Sequence, residues 1–226
     1  MARLSKSVLG EISGKMGNLV IRKMNGQEFV SQRPVKYKKT KKRIPGRQKM
    51  QSAVQFSCTV NNSEKLKLIW GKSKIKATNS YHKLIKHSLE NAETGGLTIK
   101  NKITPGGISL SFSDFLFENG KLNVTIANRD KETRSITGNN FSVYILFYFY
   151  EPIVKRIESS ILKLIKQDFA ATAESNFLFN YDTSKLNQKA LKNYKKCIVY
   201  FAAVSNKTNT KTLIYSDTIA KEFILN

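Results

Sequence analysis

Residues 141–150 read FSVYILFYFY, a run in which aromatic and branched side chains follow one another with little interruption. Apolar residues at consecutive rather than alternate positions predict a central β-strand that is buried on both faces. The run is far shorter than the ~20 residues that a helix needs to span a bilayer, so we expect no membrane span. The fold is therefore predicted to be built around a sheet that contains this strand.

Short β-prone runs surround this strand in the C-terminal half of the chain. Residues 108–112 and 122–126 alternate between apolar and polar side chains, which is typical of half-buried strands. Further strands are predicted at 97–99, 176–179, 196–204, 211–216 and 221–225. Short strands joined by polar turns indicate a β-sandwich. After Pro152, by contrast, apolar residues from Ile153 to Ile165 recur at helical spacing and favour a helix.

The N-terminal part predicts a hairpin followed by short helices. Asn25-Gly26 lies between two β-prone runs and is the strongest local signal of a hairpin with a tight turn. Pro45-Gly46 is expected to break regular structure, and helical spacing begins at Arg47. Further helices are predicted after Ser63 and at 79–89, and together they form a small helical unit with a basic outer surface.

The composition changes at Gly95-Gly96, where most of the charge excess ends and most of the apolar sequence begins. The fold class is therefore predicted to be α+β. Residues 1–95 would form a basic hairpin and helical region with an extended arm at 33–49, and residues 96–226 an antiparallel β-sandwich. We expect the two parts to be separable.

Positive charge dominates the first 100 residues, which carry 22 of the 39 Lys and Arg and only 5 of the 16 Asp and Glu. The chain as a whole has a formal net charge of +23, and no acidic residue occurs from Phe29 to Ser63. So large an excess repels itself unless a polyanion or an acidic surface neutralises it. The residues predicted to bind the polyanion are Arg33, Lys36, Lys38, Lys39, Lys41, Lys42, Arg43, Arg47 and Lys49.

Three interpretations of this basic run stay open. It contacts nucleic acid or another polyanion, it contacts an acidic protein subunit in an assembly, or it only solubilises the chain. Contact with several phosphates would give strong, salt-sensitive and sequence-independent affinity. Tyr37 is the one aromatic residue within the run, so base-specific recognition is not indicated.

Two groups of motifs resemble a known family. At the N-terminus they are GKMGN at 14–18, Arg22, Asn25-Gly26 and Arg47-Gln48; at the C-terminus they are VYFAAV at 199–204 and IYSD at 214–217. The chain is similar to an uncharacterised family of basic proteins of about this length in Bacteroidota and their phages and other mobile elements. The resemblance implies an N-terminal hairpin-helix region, a C-terminal immunoglobulin-like sandwich and a role as a component of phage particles or similar assemblies.

The sequence gives little support to catalysis. His82 and His87 are five residues apart on a predicted helix and so lie about 140° apart around its axis, which makes them a poor metal pair. Motifs for metalloproteases, serine hydrolases, P-loops and dinucleotide binding are missing from the sequence. We expect no enzyme, cofactor or metal site. Cys58 and Cys197 stand among apolar neighbours and are predicted to be buried, reduced thiols.

The sequence therefore predicts a non-enzymatic structural protein. As the resemblance implies, it would be a component of a phage particle or similar assembly, and its basic residues would contact nucleic acid or acidic subunits. The alternative is an intracellular DNA- or RNA-binding protein without sequence specificity. Met1–Gly10 is not followed by the apolar segment of a secretion signal, so synthesis in the cytoplasm is expected, with incorporation into a phage particle.

Overall fold

The computed structural model describes residues 2–4, 14–24, 26–33, 43–118, 120–127, 130–154, 158–172, 176–183, 193–206 and 213–225. The chain divides into two compact units, Met1–Lys41 and Lys42–Asn226. The boundary expected at Gly95-Gly96 thus falls inside the second unit, because the helices before it and the strands after it share a core.

The first unit is a four-stranded antiparallel sheet with the order β1-β4-β3-β2. Its strands are β1 (Ala2–Leu4), β2 (Gly14–Met16), β3 (Leu19–Met24) and β4 (Gln27–Gln32). The predicted hairpin is confirmed: Met24 pairs with Gln27, which leaves a two-residue loop, and Gly26 has a positive φ of 75°. Asn25 itself lies outside the described residues.

Three helices open the second unit: α1 (Arg43–Asn61), α2 (Glu64–Lys72) and α3 (Ser80–Asn91). All three were predicted, but α1 begins four residues before Arg47 and includes Pro45. Proline is tolerated in a first helical turn because the N–H that it lacks has no partner there. Asn79 caps α3 by accepting a hydrogen bond from the backbone N–H of His82 at 2.9 Å.

Two antiparallel sheets follow. The central sheet has the order β11-β10-β7-β8 and the outer sheet the order β5-β6-β9. The strands and one further helix are β5 (Phe112–Glu118), β6 (Lys121–Ala127), α4 (Lys131–Thr137), β7 (Phe141–Pro152), β8 (Ser160–Phe169), β9 (Asn176–Asp182), β10 (Tyr194–Ser205) and β11 (Ile219–Ile224).

The second unit has three layers, with the central sheet in the middle. One face of β7 carries Phe147 and Phe149, which pack with Phe179 and other side chains of the outer sheet. The opposite face carries Tyr144 and Tyr148, which pack with α1–α3. All residues of β7 from Phe141 to Phe149 are buried, so the predicted central strand with two buried faces is confirmed.

Trp70 connects the helices to the rest of the unit. Its ring is fully buried, and its Nε1 donates a hydrogen bond to the carbonyl oxygen of Ile103 at 2.8 Å. The His87 ring packs edge-on against the indole, with 5.4 Å between the ring centroids. Burial lowers the pKa of His87 from its ordinary value.

Several local predictions were wrong. The helix expected at 153–165 is instead strand β8 from Ser160 onward. Residues 97–99 and 108–111 lie outside the named strands, and Tyr215 and Ser216 form only isolated bridges. Helix α4 was not predicted. The described residues are therefore a mixed α+β fold with three antiparallel sheets, and the expected fold class is confirmed at that level.

Candidate polyanion-binding surface and neighbouring cavities

The structure describes only part of the predicted basic run. Arg33 is exposed after β4, where its backbone N–H donates to the carbonyl oxygen of Asn18 at 2.6 Å. Arg43 begins α1, Arg47 is exposed on that helix and Lys49 is half-buried. The other five predicted binding residues lie outside the described residues: Lys36, Lys38, Lys39, Lys41 and Lys42. Their part in a binding surface stays a prediction.

A larger basic surface lies on α1–α3 and their connections, residues 43–91, here called the helical layer. This layer carries ten Lys and Arg but only two acidic residues, Glu64 and Glu90. Six of its basic side chains are exposed: Arg47, Lys67, Lys72, Lys74, Lys76 and Lys86. These exposed positions agree with the basic outer surface predicted for the helices.

The outer sheet has the opposite sign of charge. Its described strand and turn residues carry Asp114, Glu118 and Asp182 against the single cation Lys121. The central sheet separates this sheet from the helical layer. The charge of the described residues therefore differs in sign between the outer sheet and the helical layer.

Two polar residues of α3, Lys83 and His87, have inward roles and do not contribute to the exposed basic surface. Lys83 is half-buried, and its Nζ donates to the carbonyl oxygens of Gly71 and Ser73, each at 2.7 Å. It thereby satisfies acceptors at the C-terminal end of α2, where a cation is favoured by the helix dipole. His87, as noted, packs against Trp70. Neither side chain is free to bind a partner.

A polar cleft with a volume of about 520 Å³ lies between α1, residues 93–99 and one end of the central sheet. Gln48, Gln51 and Gln55 line it from one stripe of α1. Tyr148 and Tyr150 line it from β7, with their rings stacked at a centroid distance of 5.2 Å. The cleft thus offers amide and aromatic groups together.

Three glutamates also line this polar cleft: Glu93, Glu151 and Glu222. The Nζ of Lys196 lies 2.7 Å from Glu151 Oε1, and the Tyr150 hydroxyl donates to Glu222. Burial and the neighbouring carboxylates raise the pKa of Tyr150. Two of the three acids therefore already have partners within the chain.

A second cavity, the lysine pocket, has a volume of about 540 Å³ and lies between the α1–α2 corner and β8. Lys65, Lys163 and Lys166 line it together with Glu64 and Tyr144. It is the more basic of the two cavities. Sequence reasoning did not find it because Lys163 lies within the stretch that was predicted to be helical and Lys166 directly follows that stretch.

Side chains beside the lysine pocket form a polar network. Lys65 Nζ donates to Ser142 Oγ at 3.2 Å and to the Asn206 side chain. Ser142 Oγ also contacts Asp168, whose other oxygen lies 2.8 Å from Lys166 Nζ. These hydrogen bonds lower the pKa of Asp168. The network fixes the position of Lys65 at the junction of α2, β7, β8 and β10.

Within the described ranges there is no cluster of three or more His, Cys, Asp or Glu that could hold a metal ion. No helix in the part of the chain that the structure describes is long and apolar enough to cross a membrane. Cys197 is buried as predicted, but Cys58 is exposed, with its Sγ 3.7 Å from the Tyr81 hydroxyl. The prediction that both thiols are buried was therefore wrong for Cys58.

The chain matches none of the protein-family models, and no curated protein matches it either. The resemblance to basic proteins of Bacteroidota and their phages accordingly stays a prediction.

Proposed function

We propose that this chain is a non-enzymatic protein that binds polyanions, above all nucleic acid, through the basic helical layer. The observation that supports this function is the charge of that layer, ten cations against two acids, on the side of the unit opposite the acidic outer sheet. Exposed lysines on helices are accessible to phosphates, and the release of condensed counterions favours their contact.

The basic residues 33–49 are also proposed to bind the polyanion, as the sequence predicts. This stretch contains nine Lys and Arg residues and no acidic residue. A duplex phosphate backbone contacted by such a surface releases condensed counterions, which makes affinity fall steeply with salt. Exposed lysines act as point charges and carry no base specificity, so the binding is expected to be independent of sequence.

The setting that we propose is a phage particle or a similar assembly. The protein would be made in the cytoplasm and then incorporated, with its helical layer toward nucleic acid or acidic subunits. The immunoglobulin-like description of residues 96–226 belongs to this proposal. Two antiparallel sheets packed over a shared apolar core support it, although the helical layer is an addition to such a sandwich.

Binding to nucleic acid is tested by neutralising exposed cations of the helical layer. The variant carries Lys67→Gln, Lys76→Gln and Lys86→Gln. Its affinity for duplex DNA should fall at low salt, and the slope of log K against log salt should flatten by up to about 3, since each phosphate contact contributes about 0.9. Fluorescence anisotropy with labelled DNA over a salt series measures both quantities.

A matched control removes the same charge away from the helical layer, with Lys121→Gln, Lys131→Gln and Lys195→Gln. All three side chains are exposed, so both variants should keep the fold. Affinity should change much less in this control. Equal losses in the two variants would show that net charge, and not the helical layer, governs binding, and unchanged affinity in both would remove nucleic acid from the proposal.

An intracellular protein that binds DNA or RNA without sequence specificity is the alternative. Size-exclusion chromatography before and after nuclease treatment separates the two settings. A monomer that carries nucleic acid favours the intracellular protein, whereas a defined oligomer without nucleic acid favours the assembly component. The second result would also point to acidic subunits as the partner.

A further inference from the structure

We propose that the polar cleft between α1, residues 93–99 and the central sheet is a binding site for a neutral saccharide. The site goes beyond the proposed function, because it lies in a cavity and none of the residues that line it is a lysine or an arginine. Its volume of about 520 Å³ falls within the range of about 300–1,000 Å³ that is usual for cavities that bind small molecules.

Two buried hydroxyl groups that line the cleft carry the proposal. Tyr148 is 1% exposed and Ser52 is 9% exposed, and both line the cleft. Neither hydroxyl has a hydrogen-bond partner among the residues that the structure describes. Buried polar groups are nearly always hydrogen-bonded, so both hydroxyls are expected to bind a ligand or the water that it displaces.

The two hydroxyls converge on one point of the cleft. The Tyr148 hydroxyl oxygen and Ser52 Oγ lie 2.1 and 3.5 Å from the position that a Cβ atom of residue 96 would occupy. Because residue 96 is a glycine, no side chain separates the two oxygens there. A single ligand group can therefore contact both of them.

Helix α1 adds a row of three amides to the same cleft. Gln48, Gln51 and Gln55 follow one another at helical spacing, and all three side chains are exposed and line the cleft. In the described part of the chain, these amides make no hydrogen bond to another side chain. Each offers two N–H donors and an acceptor oxygen. The cleft thus combines amides and hydroxyls that can both donate and accept.

The charges at the cleft favour a neutral ligand. A phosphate or a carboxylate would have no counter-charge among the lining residues. Glu151 lies 2.7 Å from Lys196 Nζ, and Glu222 accepts from the Tyr150 hydroxyl. Among the described residues that line the cleft, only the carboxylate of Glu93 then lacks a side-chain partner. One exposed carboxylate attracts a cation weakly, but it accepts hydrogen bonds from hydroxyl groups.

A saccharide fits these groups better than a nucleobase does. A base needs an open aromatic face on which to stack. The Tyr148 and Tyr150 rings instead stack on each other at a centroid distance of 5.2 Å, and Lys196 Nζ lies 5.8 Å from the Tyr150 centroid. Saccharide hydroxyls both donate and accept, as the hydroxyls and amides of the cleft do. They also reproduce the hydrogen bonds of the water that they displace.

Saturation-transfer difference NMR on the full-length protein tests the site with four neutral disaccharides: maltose, cellobiose, lactose and N,N′-diacetylchitobiose. At least one of them should give a saturable signal. Because these ligands are uncharged, their dissociation constants should not change when sodium chloride is added, unlike those of a polyanion. If none of the four binds saturably, the site is overturned.

Tyr148→Phe removes one buried hydroxyl and keeps the ring. The melting temperature should stay the same or rise, since the variant loses a buried polar group that has no partner in the described chain. The affinity for the disaccharide should fall about three- to tenfold, which corresponds to one neutral hydrogen bond. A lower melting temperature with unchanged affinity would show that the hydroxyl is structural and does not bind a ligand.

Gln51→Ala combined with Gln55→Ala removes two amides of the row, and the high helix propensity of alanine should preserve α1. Affinity should fall about tenfold or more, because two hydrogen bonds are lost. The matched control, Gln27→Ala with Gln32→Ala, removes two exposed amides far along the chain from the cleft residues and should leave affinity unchanged. Equal affinities of both cleft variants and the control would contradict the proposed site.

Two sources of the saccharide are distinguished by the methyl glycoside of the disaccharide that binds best. Equal binding of the glycoside, whose reducing end is blocked, supports the end of a longer glycan. Binding of the free sugar alone supports a free disaccharide. The helical-layer variant should keep its affinity for the disaccharide. Duplex binding that fails while disaccharide binding survives therefore contradicts the proposed function and not the cleft.

Discussion

At Gly96 the backbone has a φ of +126°, and a Cβ atom built there would lie 2.1 Å from the Tyr148 hydroxyl oxygen. Both facts exclude an ordinary side chain, because positive φ is strained for L-residues and the hydroxyl belongs to a fully buried tyrosine. The neighbouring Gly95 has neither restriction, since nothing lies within 4 Å of its Cβ position. Only one glycine of the pair is therefore required by the fold.

We expect Gly96→Ala to lower the free energy of unfolding by about 2 kcal/mol or more, since it adds strain and a clash at one position. Gly95→Ala should change it by no more than about 0.5 kcal/mol. Urea denaturation followed by circular dichroism measures both variants. Equal effects of the two substitutions would show that Tyr148 moves aside without cost.

The two cysteines, like the two glycines, have similar sequence neighbours but different surroundings in the fold. Cys58 is exposed, whereas Cys197 is buried in β10, where burial raises the pKa of its thiol. The apolar neighbours of both residues in the sequence made them look alike. A helix distributes successive residues around its axis, so Cys58 faces solvent while Phe56 and Val60 face the core.

A thiol reagent should therefore label one cysteine per native chain at neutral pH and both in denaturant, because only an accessible thiolate reacts. Absorbance of the released reporter group counts the thiols. Cys58→Ser should abolish the native reaction. Rapid labelling of two thiols in the native protein would mean that β10 is not buried.

At the scale of elements, β8 shows why pattern reading failed. Ile161 and Ile165 pack toward the outer sheet, while Leu162 and Leu164 pack toward the helices. A strand with both faces partly buried does not alternate, and its apolar spacing of one, three and four residues then coincides with that of a helix. Only the neighbouring layers decide between the two structures.

Strand β7 could be predicted because its apolar residues are consecutive and show no helical spacing. Phe147 lies at its centre and is fully buried. We expect Phe147→Asp to prevent folding or to lower stability by more than about 4 kcal/mol, because it buries an unpaired charge. Solubility and thermal melting report the loss.

The matched control is Leu178→Asp on β9, where the side chain is 65% exposed. It should fold with a stability near that of the natural chain. A cooperatively folded Phe147→Asp protein would contradict the central position of β7.

At the scale of the whole molecule, sequence composition predicted a division at Gly95-Gly96 but did not reveal that the helices before it and the strands after it share a core. The helical layer and the central sheet share a core in which Phe56, Trp70 and Leu84 meet Tyr144 and Tyr200. These contacts join residues more than 50 positions apart. The lysine pocket is hidden from the sequence in the same way, since Lys65 and Lys166 meet only after folding.

A fragment of residues 42–226 should accordingly fold cooperatively, because it contains a complete compact unit. Residues 96–226 alone should aggregate or lack fixed tertiary packing, since the face of the central sheet with Tyr144 and Tyr148 would be exposed to water. This expectation reverses the separability predicted from composition. Near-ultraviolet circular dichroism and analytical ultracentrifugation distinguish the outcomes, and a monomeric, rigid 96–226 fragment would restore the boundary at Gly95-Gly96.

Trp70 gives this architecture an optical reporter. It is the one tryptophan of the chain, and it lies where the helices meet the central sheet. Emission excited at the red edge of the indole band therefore reports on the contact between the helices and the central sheet, and not on the outer sheet. Because the sheet is shared by both cores, the red shift of this emission should coincide with the loss of β-sheet ellipticity during denaturation. The adjacent His87 ring should quench the native emission as it becomes protonated, and its lowered pKa moves that quenching to more acidic solutions than a free imidazole would require.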